Sequence, residues 1–142
     1  MSLDQDIDRL AGVPLLAALE PDALRLLAFA GETRSLPAGT ALFRRGEPSD
    51  GGYLVVSGTI LVTDEVYQAV RVGPAGLLAE TALLRDTVHA RSAVAQDPAT
   101  VFKLPRTAML RVLEAHPASA TRLLAFLARR LHATLPRDGL GS

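Results

Sequence analysis

The 142-residue chain contains no cysteine, and aromatic residues make up only 4% of it. The absence of thiols excludes disulfides, thiolate nucleophiles and cysteine-ligated metal sites. The three histidines, His89, His116 and His132, do not follow a metal-ligand spacing, so we predict neither a metal site nor a cofactor. Because hydrophobic residues still make up 49% of the chain, the core must be built mainly from leucine, alanine and valine.

The chain also lacks net charge and long apolar runs. Fifteen basic and fifteen acidic residues cancel, so the basic footprint of a nucleic-acid-binding protein is absent and we expect no direct binding to DNA. No run approaches the roughly 18 apolar residues of a membrane span, and the acidic N-terminus differs from a secretory signal. We therefore expect a cytoplasmic protein without a membrane span.

Residue patterns typical of catalysis are missing as well. The only lysine, Lys103, lies outside any glycine-rich phosphate loop. Ser57 has no candidate general base beside it in the sequence. We therefore predict that the chain is not an enzyme.

Hydrophobic spacing divides the chain into a helical, a β-rich and a second helical part. Aliphatic residues at helical spacing predict helices over about 4–31. Over about 32–104, short runs with β-branched or aromatic residues alternate with turns that contain glycine or proline, which is typical of an antiparallel β-roll. Within this part, the sequence AETALLRD predicts a short helix over about 79–85. Two further helices are predicted over about 105–135.

The predicted fold class is therefore mainly β with flanking helices. It is an antiparallel β-roll, a jelly-roll-like barrel of two sheets, with N-terminal helices and two C-terminal helices. A parallel sheet is excluded because the segments between the strands are too short for crossover helices. No internal repeat or linker divides the sequence, so residues 1–142 are predicted to form a single domain.

The last predicted helix carries an apolar seam at alternating spacings of four and three residues. Leu123 and Phe126 add apolar surface beside this seam. One flank of such a helix can cover the β-roll, but a helix that is apolar over so much of its circumference usually needs a second partner. We therefore expect a two-fold homodimer with this helix at its centre. The seam consists of Ala120, Leu124, Leu127 and Leu131.

A resemblance to a known family rests first on the segment LPAGTALFRRGEPSDGGYLVVSGTILV, over Leu36–Val62. With Gly39, Gly46 and Gly58 at its turns, it resembles the early strands of the cyclic nucleotide-binding domain. That family includes the catabolite activator protein, the regulatory subunits of cyclic-AMP-dependent kinase and the cytoplasmic domains of cyclic-nucleotide-gated channels. The resemblance covers roughly Leu15 to Leu131 and implies a regulatory domain with the same β-roll.

The segment LLAETALLRDTVHARS, over Leu77–Ser92, is similar to the phosphate-binding cassette of that family. In the cassette, the amides of a short helix and an arginine on the next strand hold the cyclic phosphate, and a glutamate binds the ribose 2′-hydroxyl. The resemblance implies that Glu80 takes the ribose position and that Ser92 keeps a small hydroxyl. The cassette is divergent, with Leu78 for phenylalanine, Ala79 for glycine, Thr81 for an aliphatic residue, Val88 for proline and His89 for the phosphate-binding arginine.

The cassette predicts the ligand-binding site, but it leaves alternative roles open for three of its charged or titratable residues. Arg91 lies two positions after His89, so both point to the same face of a strand. Arg91 is either the cation that replaces the family arginine or a solvated surface residue, and His89 is either a weak ligand or a rim histidine. Glu80 binds either a ligand hydroxyl or an internal arginine such as Arg91, because a buried acid without a partner is costly. The predicted ligand-binding residues are Leu78, Ala79, Glu80, Thr81, His89, Ala90, Arg91 and Ser92.

Two functions fit these observations. The first is a sensor that binds cyclic AMP, cyclic GMP or a related small anion weakly and relays occupancy through the C-terminal helices. The alternative is a degenerate domain of the same fold that has no nucleotide affinity and acts as a dimerisation or interaction module. The chain ends a few residues beyond the last helix, so we expect a lone sensor module or an excised piece of a larger protein.

Overall fold

A computed structural model of the chain describes residues 2–64, 66 and 68–134, with only the backbone for 131–134. Helices lie at both ends of the chain, and strands fill the middle. The helices are α1 (Leu3–Ala11), α2 (Pro21–Ala30), α3 (Arg106–Ala115) and α4 (Pro117–Thr134), with short 3-10 turns at Leu16–Ala18 and Glu80–Leu83. The strands are β1 (Glu32–Leu36), β2 (Ala41–Phe43), β3 (Pro48–Ser49), β4 (Gly51–Ser57), β5 (Ile60–Thr63), β6 (Ala69–Val72), β7 (Leu77–Leu78), β8 (Thr87–Val88), β9 (Ser92–Ala95) and β10 (Ala99–Pro105).

The strands form two four-stranded sheets, in the orders β1-β10-β4-β7 and β2-β9-β5-β6, and β3 pairs with β8. Every pairing among the described strands is antiparallel. A cluster of buried side chains includes Val55 and Val101 from the first sheet and Ile60 and Ala93 from the second. The two sheets therefore enclose this apolar core, and the predicted fold class of a mainly β roll with flanking helices is confirmed.

Local sequence explains where the N-terminal helices begin. Ser2 caps α1, since its hydroxyl accepts a hydrogen bond from the Gln5 amide while the Gln5 side chain accepts one from the Ser2 amide. Pro21 lies in the first turn of α2, where its missing N–H costs nothing, and Asp22 lies at the positive end of the helix. The predicted helical region over about 4–31 is thus two helices joined by a 3-10 turn.

The helices pack on the outside of the roll as a second apolar cluster. Leu10 of α1, Leu27 of α2 and Met109 of α3 are fully buried in it together with Leu104 of β10. Leu83 of the Glu80–Leu83 turn belongs to the same cluster. The predicted phosphate-binding cassette therefore rests directly on the core that holds the terminal helices.

The predicted turn glycines adopt backbone conformations that favour glycine. Gly39, Gly46 and Gly58 have φ values of 84°, 88° and 80°. At Gly58 the added constraint is space, because a Cβ atom there would lie 2.5 Å from the Pro98 carbonyl oxygen. The turn between β4 and β5 therefore requires glycine for two independent reasons.

The last helix presents two different faces. Leu123 is 2% exposed and packs in the helix-side core, so this side of α4 faces the other helices. Leu124 is 68% exposed, while Ala120 and Leu127 are half-buried. The side chain of Leu131 lies outside the described part of the structure. Leu123 does not add free apolar surface as the sequence suggested, and Leu124 marks the open face. Among the helices that the structure describes, none combines the length and the apolar character of a membrane span.

Candidate ligand-binding cavity

A cavity of about 520 Å³ opens beside the cassette, a size within the range of small-molecule sites in proteins. Its inner wall is apolar and is formed by side chains of β2, β5 and β6 together with the leucines of β7. The cassette supplies the other wall. On these four strands, the apolar lining residues that sequence analysis did not predict are Phe43, Val62, Val70, Val72 and Leu77. Strand alternation was the available signal for them, but it does not show which strands surround a cavity.

The structure brings seven of the eight predicted ligand residues to this cavity, and their role in binding stays a prediction. Ser92 has another role, because its hydroxyl oxygen accepts a hydrogen bond from the Arg45 amide at 2.9 Å. It thereby fixes the turn between β2 and β3 against β9. The seven lining residues are Leu78, Ala79, Glu80, Thr81, His89, Ala90 and Arg91.

The predicted short helix over about 79–85 is a single 3-10 turn, Glu80–Leu83. Ala79 precedes it in the left-handed region, with φ 56° and ψ 41°. Leu84 and Arg85 both donate their amide protons to the Thr81 carbonyl oxygen, which closes the end of the turn. Ala79 stands where the family has glycine, and a left-handed residue with a Cβ atom costs roughly 1–2 kcal/mol. The turn is kept although the residue is unfavourable.

Glu80 forms an ion pair with Arg130 of α4, with 2.5 Å between Arg130 Nη1 and Glu80 Oε1. The Glu80 side chain is 29% exposed and that of Arg130 is 49% exposed. Arg130 also lies over the ring of Phe126, 5.6 Å from its centre. An internal arginine was one of the predicted partners of Glu80, but the example named, Arg91, was wrong. The last helix is thereby connected directly to the wall of the cavity.

His89 is 7% exposed and packs as part of the cavity wall. Its ring is stacked on that of Phe43, with 3.8 Å between ring centres and 5° between planes. Burial lowers the pKa of His89 below its ordinary value, although the carboxylates of Glu47 and Asp50 oppose this shift. Of the two alternatives for His89, a surface or rim position is therefore excluded, and a role as a weak ligand stays a prediction. A neutral imidazole attracts an anion only weakly, so His89 does not replace the charge of the family arginine.

Arg91 is exposed and lies at the edge of the same cavity. It is the only arginine or lysine among the described residues that line the cavity. Within the described part of the chain, no group of three histidine, cysteine, aspartate or glutamate residues is placed to hold a metal ion. The site thus combines apolar walls, one paired carboxylate, one neutral imidazole and one exposed guanidinium.

Comparisons with known proteins point to the family that the cassette resembles. The family model described as cyclic nucleotide-binding domain matches residues 33–116. The cyclic AMP receptor protein of Thermus thermophilus is 30% identical over 125 residues, covering 84% of this chain and 58% of that protein. The chain spans 22% of the length of other curated relatives that it matches.

Two solved structures have similar folds. The cyclic nucleotide-binding-like protein from Brucella abortus is 39% identical with a TM-score of 0.68, covering 78% of this chain and 99% of that chain. The sensor domain of the transcriptional regulator DNR from Pseudomonas aeruginosa is 27% identical with a TM-score of 0.77, covering 92% of this chain and 91% of that chain. Both likenesses extend well beyond the cassette.

Proposed function

Because the chain belongs to the cyclic nucleotide-binding domain family, we propose that it is a sensor domain that binds cyclic AMP, cyclic GMP or a related small anion weakly. The observation that carries this proposal is the position of Glu80. It lies on the cavity wall at the ribose position of the cassette, and it is bound to Arg130 of α4. A ligand that takes over Glu80 would therefore act on the last helix.

The proposed relay is a competition for one carboxylate. The 2′-hydroxyl of a bound ribose donates a hydrogen bond to Glu80, and Arg130 then loses the geometry of its ion pair. A ligand shifts a conformational equilibrium only as far as its affinity differs between the two states. The state in which α4 is released from Glu80 is the state that binds the ribose more tightly. Occupancy is thus reported by the position of α4.

Weak binding follows from the missing family arginine. His89 is neutral and stacked on Phe43, so the negative charge of the cyclic phosphate is met by Arg91 at the cavity edge. A lost hydrogen bond to a charged group is worth roughly 1.5–3 kcal/mol, which corresponds to about one to two decades in affinity. We therefore expect this chain to bind more weakly than family members with an intact cassette.

Calorimetry on the purified chain with cyclic AMP and cyclic GMP tests the proposal. Binding should be measurable and should be lost in Arg91→Ala, since that change removes the one cation among the described residues that line the cavity. Arg71→Ala is the matched control, because Arg71 lies on β6 and bonds to the Gln96 side chain at 3.1 Å. Equal affinity of the chain and Arg91→Ala would show that Arg91 does not hold the phosphate.

Two observations favour the alternative of a degenerate domain that acts as an interaction module. The arginine position holds a buried neutral histidine, and Leu124 leaves an exposed apolar face on α4. In this alternative the cavity has no nucleotide affinity and the chain forms a homodimer through α4. An absence of heat with both nucleotides, combined with a dimer in light scattering, would decide for it.

We further propose a regulatory role without catalysis, a cytoplasmic location and no direct contact with nucleic acid. One domain spanning residues 1–142 is part of the same proposal. The similarity to a cyclic AMP receptor protein and to a sensor domain supports a regulatory role. The balanced charge of the chain supports the lack of nucleic-acid binding.

A further inference from the structure

Arg106, the first residue of α3, joins three segments that lie far apart in the sequence. Its Nη1 donates to the carbonyl oxygens of Ser49 at 2.9 Å, Arg85 at 3.2 Å and Ala82 at 3.4 Å. Its backbone N–H donates to the carbonyl oxygen of Asp50 at 2.7 Å. One residue therefore connects β3, the beginning of α3 and the end of the 3-10 turn Glu80–Leu83, which we call the cassette turn.

The cassette turn needs a donor at this place. Carbonyl groups at the end of a helical turn have no partner within the turn, and Ala82 and Arg85 contribute two of them. The guanidinium stays charged at all physiological pH values, and its Nη1 carries two N–H donors. Three carbonyl oxygens therefore share these two donors, with the longest bond, to Ala82, as the shared one. The ion pair of Arg106 with Asp86, at 3.6 Å, contributes little because the Asp86 side chain is 91% exposed.

Ser49 extends this connection to the far end of the same segment. Its hydroxyl donates to the carbonyl oxygen of Thr87 at 2.7 Å, and the residue is 4% exposed. Ala82, Thr87 and Ser49 all line the cavity. Arg106 therefore holds part of the cavity wall directly, at Ala82, and part through Ser49.

The packing beneath these hydrogen bonds joins the same elements. Leu83 of the cassette turn and Met109 of α3 are both fully buried in one apolar cluster. Apolar packing alone lets neighbouring elements slide, because it is not directional. Hydrogen bonds to three separate carbonyl oxygens fix their relative position.

We propose that Arg106 is a positioning residue that locks the cavity wall from Ala82 to Thr87 in register with α3, so that the two move as one body. The consequence of this lock for signalling rests on the proposed function. Occupancy of the cavity then reaches α3 through Arg106, on a route separate from the Glu80–Arg130 contact that leads to α4.

Hydrogen exchange of the full chain without ligand tests the lock. The probes are the amides of Leu84 and Arg85, which bond to Thr81 within the turn, and the amides of β5 and β9 serve as the reference. Arg106→Lys keeps the charge but reaches fewer carbonyls, so exchange at the probes should rise roughly tenfold or more, given the strength of hydrogen bonds to charged groups. The reference strands should be unchanged.

Two further variants separate the lock from a general loss of stability. Arg71→Lys, a surface arginine on β6, should leave both regions unchanged. Asp86→Asn removes only the exposed ion pair and should change the probe rates by less than about twofold. Unchanged probes in Arg106→Lys, an equal rise in the reference strands, or a rise in Asp86→Asn as large as that in Arg106→Lys would each overturn the proposal.

Cyclic AMP is the probe for the signalling consequence. It should protect the cassette turn and α3 from exchange in the unmodified chain, but only the cassette turn in Arg106→Lys. If cyclic AMP protects α3 from exchange in Arg106→Lys as fully as in the unmodified chain, the proposed coupling between the cavity and α3 is wrong. If cyclic AMP protects nothing in the unmodified chain, the proposed function fails, while the exchange rates without ligand still decide the role of Arg106.

Discussion

Glu80 of the cassette turn and Arg130 of α4 are joined by an ion pair, although fifty positions separate them in the sequence. Glu80 is the one polar residue that the divergent cassette keeps at the ribose position. Its partner lies on the helix that closes the chain's core through Leu123. The ligand cavity and the last helix are therefore connected by a contact between charged side chains.

Breaking this contact should loosen α4 without unfolding the roll. Arg130→Ala is expected to raise hydrogen exchange in the C-terminal turns of α4. It should lower the free energy of unfolding by no more than about 1 kcal/mol, because both side chains are partly exposed. Arg129→Ala, at the neighbouring exposed position, is the control and should change neither quantity. Identical exchange in Arg130→Ala and Arg129→Ala would show that the ion pair does not hold the helix.

The depressed pKa of His89 predicts a pH-dependent stability. Above about pH 6.5, the ordinary pKa of histidine, the side chain is neutral in both the folded and the unfolded chain and contributes nothing. Below that value the unfolded chain takes up the proton first, so the free energy of unfolding should fall as the pH decreases towards the lowered pKa of the folded state. Urea titrations across this pH range should show a smaller loss of unfolding free energy in His89→Phe. This variant keeps a ring beside Phe43.

The sequence predicted the family, the order of elements and the cassette side of the cavity wall. Glycines at Gly39, Gly46 and Gly58 and the alternation of short strands carry that information locally, and the family prediction is confirmed. The partner of Glu80 was missed because Arg130 lies in a distant helix, and a contact between distant segments leaves no trace in local spacing. The burial of His89 was missed for a related reason, since Phe43, which stacks on it, lies on the distant strand β2.

Restoring the family residue at position 89 tests how much of the weak binding comes from one missing charge. His89→Arg should tighten cyclic AMP binding by about one to two decades, the worth of a hydrogen bond to a charged group. His89→Gln, which has a side chain without charge, is the control and should not tighten binding. If calorimetry detects no binding in His89→Arg, the cavity is closed for reasons beyond the charge, and the interaction module becomes the better account.

The left-handed conformation of Ala79 predicts an unusual response to glycine. Ala79→Gly should leave the free energy of unfolding unchanged or raise it by up to about 1 kcal/mol, because glycine adopts positive φ without strain. Ala125→Gly, at an exposed position within α4, is the matched control and should lower it by about 1 kcal/mol. If thermal or urea unfolding shows that Ala79→Gly and Ala125→Gly lose the same unfolding free energy, Ala79 is not strained.

The two faces of α4 predict opposite effects for neighbouring leucines. Leu124 is 68% exposed on the face proposed for the dimer, so Leu124→Glu should convert a dimer into a monomer while leaving the unfolding of the monomer nearly unchanged. Leu123 is 2% exposed in the core. Leu123→Ala should therefore lower the free energy of unfolding by roughly 2–5 kcal/mol, as truncation of a buried leucine does.

Light scattering combined with urea unfolding separates the two outcomes. The monomer–dimer ratio should respond to Leu124→Glu at protein concentrations of tens of micromolar, a rough working range for interfaces of moderate affinity. Arg122→Glu, an exposed change of charge on the same helix, controls for the introduced acid. A dimer that survives Leu124→Glu, or a chain that is already monomeric at this concentration, would remove α4 as the dimer interface. The exposed leucine would then be a single apolar side chain of the kind that most protein surfaces carry.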